Sequence, residues 1–133
     1  MKKRKTVAQL KRKLDLVFSK WVRLNETDGG KTGRCVTCSR TLPYKELDAG
    51  HFISRNWTAL RWDEKNCHCQ CKKRNRFQGG QIEEYFLWME NEYGRKVVDD
   101  MISHKHDIFI LETPWLEGKI KEYQDKIDKL NNK

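Results

Sequence analysis

The sequence predicts a small α+β fold in which α-helices flank an irregular, cysteine-rich core. Two observations lead to this prediction. Apolar residues recur at helical spacing near both ends of the chain, whereas residues 33–81 lack that period and hold all five cysteines. The length of 133 residues fits one domain, because a single core usually occupies roughly 100 to 150 residues. We expect one domain over 1–133, with an N-terminal helix at 6–26, the core at 33–81 and a helical C-terminal part at 82–133.

The first helix is predicted from about Thr6 to Asn25. Its apolar positions lie three or four residues apart, which places them on one helical face: Leu10, Leu14, Val17, Trp21 and Leu24. Asp28, Gly29 and Gly30 follow, and such residues end a helix.

Two further helices are predicted directly after the core. One runs from Ile82 to Tyr93 and ends before Gly94, and a shorter one runs from Arg95 to Ser103.

The last predicted helix begins with Thr113 as N-cap and Pro114 at its first position. It carries a long apolar stripe: Leu116, Ile120, Tyr123, Ile127 and Leu130. That stripe either pairs two chains, which would give a homodimer, or packs on the first helix.

The core contains only two extended-looking pieces, Tyr44 to Leu47 and Phe52 to Ile53. Both are too short to form a stable sheet alone. We therefore expect another interaction to hold them.

The cysteines supply that interaction if they bind zinc. Cys35-Val-Thr-Cys38 has the spacing that lets two thiolates meet one Zn²⁺, and an odd number of cysteines argues against a disulfide framework. The later cysteines alternate around His68 in a CxCxC pattern. We assign Cys35, Cys38 and Cys71 as zinc ligands and favour Cys69 as the fourth, with Cys67 or His68 as alternatives. The remaining interpretation is that all five are free thiols.

The charge distribution indicates a polyanionic partner. The net charge is +9, with nine basic and three acidic residues in 1–30, eleven and four in 31–80, and eight and twelve in 81–133. Clustered positive charge interleaved with aromatic residues favours nucleic acid, although a role in solubility alone is the alternative. No run of about 18 apolar residues and no signal-peptide core is present, so we expect a cytoplasmic protein without a membrane span.

A set of residues within the core suits phosphodiester hydrolysis. His51, with an ordinary pKa of about 6.5, can take a proton from water near neutral pH. Mg²⁺ or Mn²⁺ needs only a few protein oxygen ligands, which Asp48 and Asn75 can provide, and it would neutralise charge on the phosphate.

These residues also carry a family resemblance. The segments DAGHFISR and RWDEKN, with the stretch that ends at Asn75, resemble the phage NinG/Rap recombination endonucleases over about residues 15–95. That family is similar to the HNH, or ββα-metal finger, nucleases and to the Holliday junction resolvases of the endonuclease VII type.

The resemblance implies an α+β, zinc-stabilised, HNH-like core flanked by helices. It implies His51 as general base, Asp48 and Asn75 as ligands of the catalytic cation, and Asn66 as the residue that orients the histidine loop. The implied activity is cleavage of branched or recombination-intermediate DNA, such as Holliday junctions, D-loops or flaps, by a phage or prophage protein in the host cytoplasm.

The sequence departs from the family pattern at two places. Arg74 stands where the fourth thiolate is expected, and Gly79-Gly80-Gln81 stands where the family has SGN.

The basic residues around this set would contact DNA phosphates, which positions DNA without reading its sequence: Arg55, Arg61, Lys72, Lys73, Arg74 and Arg76. Trp57 and Trp62 either stack on an unpaired base or belong to the core. Two other functions fit the same residues: an HNH enzyme that nicks ordinary duplex DNA, and a zinc-knuckle DNA-binding protein without enzymatic activity.

Overall fold

The computed structural model describes residues 3–132 and has the α+β architecture expected from the sequence. Residues 1, 2 and 133 of the predicted domain lie outside this range. The helices are α1 (Val7–Asn25), α2 (Ile82–Tyr93), α3 (Arg95–Ser103) and α4 (Thr113–Asn131). The strands are β1 (Thr32–Arg34), β2 (Thr41–Pro43), β3 (Leu47–His51) and β4 (Cys67–Cys71). They form two antiparallel two-stranded sheets, β1 with β2 and β3 with β4.

Helix α1 begins with a capping box. The Thr6 hydroxyl accepts a hydrogen bond from the Gln9 backbone N–H, and the Gln9 side chain accepts one from the Thr6 N–H.

The buried residues of α1 lie four apart: Leu10, Leu14, Phe18 and Val22. The prediction placed Val17, Trp21 and Leu24 on the buried face of the helix, but these three residues are only half-buried. Phe18 and Val22 are buried in their place. The physical reason is that a ridge of residues four apart packs against the neighbouring helix.

That neighbouring helix is α4. It begins at Thr113, so the N-cap residue is Glu112 and not Thr113 as predicted, while Pro114 lies in the first turn. The apolar stripe of α4 is buried as predicted from Leu116 to Ile127, and its last member, Leu130, is half-buried.

The α4 stripe packs on α1 within the same chain, which was one of its two predicted partners. Phe18 of α1 meets Tyr123 of α4 edge to face, with ring centroids 5.0 Å apart.

A second apolar cluster joins α2 and α3 to the segment after β3. It buries Tyr85, Met89, Val98 and Met101 together with Phe52, Ile53 and Leu60. The Tyr85 hydroxyl donates to the Gly50 carbonyl at 2.7 Å, and this bond ties α2 to the strand that carries His51.

The extended segments were predicted in the wrong places. Tyr44–Glu46 is a helical turn, and Phe52 and Ile53 follow β3 instead of forming a strand. Strand β3 pairs with β4 so that Asp48 lies opposite Gln70 and His51 opposite Cys67. All five residues of β4 are buried, so this strand lacks the alternation of polar and apolar residues that marks a half-exposed strand in a sequence.

The hairpin of β1 and β2 carries Cys35 and Cys38 in the loop between its strands. Its backbone joins β4 through the Val36 N–H, which donates to the Cys69 carbonyl at 3.0 Å. Within residues 3–132, no helix combines the length and the apolar character needed to cross a bilayer.

Candidate functional site

His51 ends β3, and its ring is fixed by a hydrogen bond. Its Nε2 atom lies 2.8 Å from the backbone carbonyl oxygen of Arg61. A carbonyl oxygen only accepts, so Nε2 carries the proton and Nδ1 keeps its lone pair in the neutral ring. The neighbour of Nδ1 is the Cys67 Sγ atom at 3.9 Å, a long contact to a weak donor.

Burial lowers the pKa of His51 to about 4, and the positive charge of Arg55 also lowers it, while the Arg61 carbonyl opposes the change. The imidazole is therefore neutral at pH 7 and can accept a proton at Nδ1.

Asp48, in β3, contacts Asn75 and Arg76 directly. Asp48 Oδ2 accepts from Asn75 Nδ2 at 3.0 Å and from Arg76 Nε at 2.8 Å, and Oδ1 accepts from Arg76 Nη2 at 3.0 Å. The guanidinium thus binds the carboxylate in a bidentate manner, which fixes its orientation. Both partners come from Lys73–Phe77, a π-helical turn that follows β4 and is wider than a turn of α-helix.

The three residues predicted for hydrolysis line one cleft of about 540 Å³. We call it the central cleft. Asp48 and His51 enter it from β3, Asn75 from the turn after β4, and Asp15 from α1. Because the pairing of β3 with β4 brings residues 48 and 75 together, the cleft depends on the β3–β4 sheet.

Asn66 lies outside the central cleft and is fully buried. Its Oδ1 accepts from the Ile53 N–H at 2.8 Å, and its Nδ2 donates to the carbonyls of Ile53 at 2.9 Å and Leu60 at 3.0 Å. The amide therefore bridges the loop between β3 and β4. This geometry suits an orienting role better than direct contact with a substrate.

Asp15 was not among the residues predicted from the sequence. It binds the side chain of Arg61, whose backbone carbonyl accepts the hydrogen bond from His51. Asp15 accepts from Arg61 through both carboxylate oxygens, with Nε at 3.0 Å from Oδ1, and from Trp62 Nε1 at 3.0 Å. Arg61 was predicted to contact DNA, but its guanidinium is already engaged by this carboxylate. The only signal in the sequence was that Asp15 is the first acidic residue of a strongly basic helix.

Three cysteines form a group suited to a metal ion, which we call the three-cysteine cluster. The Sγ atoms of Cys35, Cys38 and Cys71 lie within 4.8 Å of one another, with Cys38 and Cys71 at 3.9 Å. Two thiolates bound to one tetrahedral Zn²⁺ lie about 3.8 Å apart, since each Zn–S bond is about 2.3 Å. The sulfur positions therefore fit zinc.

Hydrogen bonding also favours the thiolate form at one of these positions. Burial raises the pKa of Cys35, but the Thr37 hydroxyl and the backbone N–H groups of Cys71, Cys38 and Thr37 outweigh it, and the pKa falls to about 7. A thiolate is the form that binds a metal ion.

The structure does not bring Cys69, the favoured fourth ligand, into the three-cysteine cluster. Cys69 lies two residues before Cys71 in an extended strand, so the two positions are separated by about 7 Å along β4.

The two alternative fourth ligands are also engaged elsewhere. Cys67 lies beside the His51 ring. Both ring nitrogens of His68 have partners, which are the Glu26 carboxylate, the Tyr93 hydroxyl and the Lys65 carbonyl.

The predicted DNA-contacting residues, apart from Arg61, divide into two groups. Arg55 and Arg76 line the central cleft. Lys72, Lys73 and Arg74 line a second cleft of about 330 Å³ beside Cys38 and Cys71.

The two tryptophans differ in their surroundings. Trp62 is buried and belongs to the apolar cluster of α1 and α4, whereas Trp57 stands edge to face against His106 with ring centroids 4.2 Å apart.

Comparison with known proteins relates the whole chain to one phage family. The family model described as bacteriophage lambda NinG protein matches residues 1–133. The ninG protein of Escherichia phage 933W is 33% identical over 101 residues, and that of Escherichia phage lambda is 32% identical over 101 residues. The ninG protein of Salmonella phage P22 is 32% identical over 100 residues.

Each of these alignments covers 74% of this chain and 48% of the relative, so the chain spans about half the length of the relatives it matches. No solved structure matches.

Proposed function

The chain belongs to the NinG family of phage proteins, and from this premise we propose that it is a metal-dependent DNA endonuclease. In this proposal it hydrolyses phosphodiester bonds in branched or recombination-intermediate DNA. It would act on phage DNA in the cytoplasm of the infected host.

One observation carries the proposal: Asp48, His51 and Asn75 line a single cleft together with Arg55 and Arg76. A base, oxygen ligands and two cationic side chains are what hydrolysis of a phosphodiester requires.

The oxygen-rich pair of Asp48 and Asn75 fits a hard cation such as Mg²⁺ or Mn²⁺. Bound there, the cation would neutralise negative charge on the scissile phosphate and the leaving oxygen. Arg55 would bind a phosphate beside the scissile bond through charge-assisted hydrogen bonds. Arg76 binds Asp48 and would contact phosphate only where the cation displaces it from that carboxylate.

His51 acts as the general base in this mechanism. Its Nδ1 lone pair accepts a proton from water, and the resulting hydroxide attacks the phosphorus atom as the bond from phosphorus to the leaving oxygen breaks. The leaving oxygen then takes a proton from water. The carbonyl of Arg61 holds the ring by its Nε2 proton, and Asp15 holds Arg61 in turn. Asn66 fixes the loop that connects these residues.

We further propose that β3, β4 and the turn Lys73–Phe77 form a ββα-metal unit of the HNH type, with a structural Zn²⁺ in the three-cysteine cluster. The order of two antiparallel strands and a helical turn supports this, since the histidine lies on the first strand and the asparagine on the turn. The zinc would fasten the β1–β2 hairpin to the end of β4.

The test is cleavage in Mg²⁺ of four DNA substrates: duplex, flap, replication fork and four-way junction. We expect the wild-type protein to cut the branched substrates and to lose activity in EDTA. The His51→Ala variant should lose nicking by at least about 100-fold, since general base catalysis contributes typically 10²- to 10⁴-fold. Its DNA affinity should stay close to that of the wild type.

His104→Ala is the matched control, because His104 does not line the central cleft and its exposed ring pairs with Asp100 and Asp107. Undiminished cleavage by His51→Ala would refute the assignment. Equal cleavage of all four substrates would favour a nickase of ordinary duplex DNA, and binding without cleavage would favour a zinc-knuckle DNA-binding protein.

A further inference from the structure

Phe77 is 82% exposed. Among the exposed large apolar residues of 3–132, the other aromatic ones are Phe109 at 41% and Trp57 at 37%. Phe77 belongs to neither apolar cluster, and within that range it makes no ring contact with another aromatic residue. Burying a phenylalanine side chain is usually worth about 1.5 to 3 kcal/mol. In its present position the ring gains little of this free energy, so its face is available to a ligand.

Phe77 lies in the sequence between residues that line the central cleft. It follows Arg76 directly and is two residues from both Asn75 and Gly79, all of which line that cleft. Neighbouring Cα atoms are about 3.8 Å apart, so the backbone of Phe77 lies beside residues that line the cleft. The wide helical turn Lys73–Phe77 and the left-handed backbone of Gly79, Gly80 and Gln81 hold it there. Wide turns of this kind are frequent at functional sites.

The sequence around Phe77 is rich in basic residues. Lys72, Lys73, Arg74 and Arg76 precede it, and the sequence has no acidic residue between 65 and 82. The neighbours of Phe77 in the chain, Arg76 and Gln78, are polar, and Phe77 belongs to neither apolar cluster of the fold. A protein interface usually surrounds its aromatic anchor with other apolar groups. Cations around an isolated ring suit a nucleic acid strand, which offers phosphates and the flat face of a base.

We propose that Phe77 stacks on an unpaired nucleobase beside the phosphate held in the central cleft. In a duplex both faces of a base are covered by its neighbours, so only an unpaired base offers a free face to the ring. Phe77 would thereby direct the cleft to DNA with unpaired bases, such as the branch point of a flap or junction. This inference rests on the proposed function and names the feature of DNA that the site selects.

The two tryptophans considered earlier do not compete for this role. Trp62 is buried and donates its Nε1 proton to Asp15. Trp57 is 37% exposed, and its ring is covered by His106 and by the Lys105 ammonium at 5.5 Å.

The test measures binding and not cleavage, using the full chain in metal-free buffer. The probes are two DNA duplexes of equal length that carry 2-aminopurine, in one case paired and in the other as a single unpaired bulge. We expect the wild-type protein to quench the unpaired 2-aminopurine and to bind the bulged DNA more tightly. Phe77→Ala should abolish the quenching and weaken binding to the bulge by about 5-fold or more, since stacking on one base contributes about 1 to 3 kcal/mol. Binding to the paired duplex should not change.

Phe77→Trp should restore quenching because it keeps an aromatic face. Leu87→Ala is the matched control, since Leu87 is 65% exposed on α2 and does not line the central cleft. The proposal is overturned if Phe77→Ala still quenches, if it loses affinity equally for both duplexes, or if the wild type binds neither. A lower molecular mass of Phe77→Ala in sedimentation would instead assign the ring to contact between two copies.

These outcomes are separable from failure of the proposed function. A protein that quenches the unpaired base but cuts no DNA in Mg²⁺ would refute the endonuclease and leave the role of Phe77 standing. Cleavage of branched DNA with normal quenching by Phe77→Ala would refute only the role of Phe77.

Discussion

The neutral state of His51 makes the stability of the fold depend on pH. Its pKa is lowered from 6.5 to about 4, chiefly by burial. Above pH 6.5 the ring is neutral in both the folded and the unfolded chain. Between pH 6.5 and 4 the unfolded chain binds a proton that the folded chain does not, so folding becomes less favourable as pH falls.

We predict that this single group lowers the free energy of unfolding by at most about 3 kcal/mol between pH 7 and pH 4. The measurement is urea unfolding of the wild type and of His51→Gln at several pH values, without Mg²⁺. The other titrating groups are common to both proteins, so the difference between the two curves isolates His51. Parallel curves from pH 7 to 4 would contradict the lowered pKa.

Individual polar residues could be predicted from the sequence only where they lie within a short motif. His51 and Asp48 lie within one short motif on β3 and line the same cleft. Asp15 contacts Arg61 from 46 residues away, and no local pattern encodes that distance. The same is true of Glu26, which pairs with His68 across 42 residues.

The strands of this fold are too short to be stable through their own hydrogen bonds, since β1 and β2 have three residues each. The three-cysteine cluster joins their connecting loop to the end of β4, and Cys38 and Cys71 are 33 residues apart. Closing a loop of that length with a crosslink stabilises a folded chain by about 4 kcal/mol in the chain-entropy model.

We predict one zinc ion per chain, lost in Cys38→Ser and retained in Cys69→Ala. Removing the ion should lower the melting temperature by on the order of 10 to 20 °C, as expected for a loss of about 4 kcal/mol in a domain of this size. The measurements are elemental analysis of the purified protein and thermal unfolding with and without chelator. Cys38 is only half-buried, so its replacement by serine removes a ligand with little damage to packing. Zinc loss in Cys69→Ala but not in Cys38→Ser would contradict the assigned ligands.

The helices were predictable and the strands were not, for a physical reason. A helix is encoded by residues three and four apart, so α2 and α3 appear in the sequence with the bounds that the structure gives them. Strand β4 takes its stability from β3 and from burial on both faces. Its residues, Cys67–Cys71, are not typical strand formers, and the alternating cysteines were interpreted as metal ligands and not as a strand.

The molecule as a whole is built around two apolar clusters. One joins α1 and α4 and includes Trp62 and Cys67, and the other joins α2 and α3 to the segment after β3. The central cleft takes residues from α1, from β3 and the segment after it, and from the stretch between β4 and the start of α2. The pairing of α1 with α4 therefore positions Asp15 in the cleft, although α4 itself contributes no residue to the cleft lining in the described range.

The charges follow this arrangement. The N-terminal 80 residues carry twenty basic and seven acidic side chains, whereas residues 81–133 carry eight basic and twelve acidic ones. Several charges of α4 are paired with one another, as Lys121 is with Asp125 and Lys126 with Glu122. Because the cleft is formed mainly by the basic part of the chain, we expect DNA to approach from that side.

We predict that DNA affinity falls steeply with salt and that individual cations contribute unequally. Replacing Arg55, which lines the central cleft, by alanine should reduce the slope of log K against log salt by about 0.9, the value for one lost phosphate contact on duplex DNA. Lys129→Ala is the matched control, since Lys129 is exposed on the last turn of α4 and should leave the slope unchanged. The measurement is binding to a fixed duplex at several salt concentrations. Equal slopes for Arg55→Ala and the wild type would contradict the binding of DNA in the central cleft. A strand bound there would place a phosphate beside the Arg55 side chain, and loss of that contact would reduce the slope.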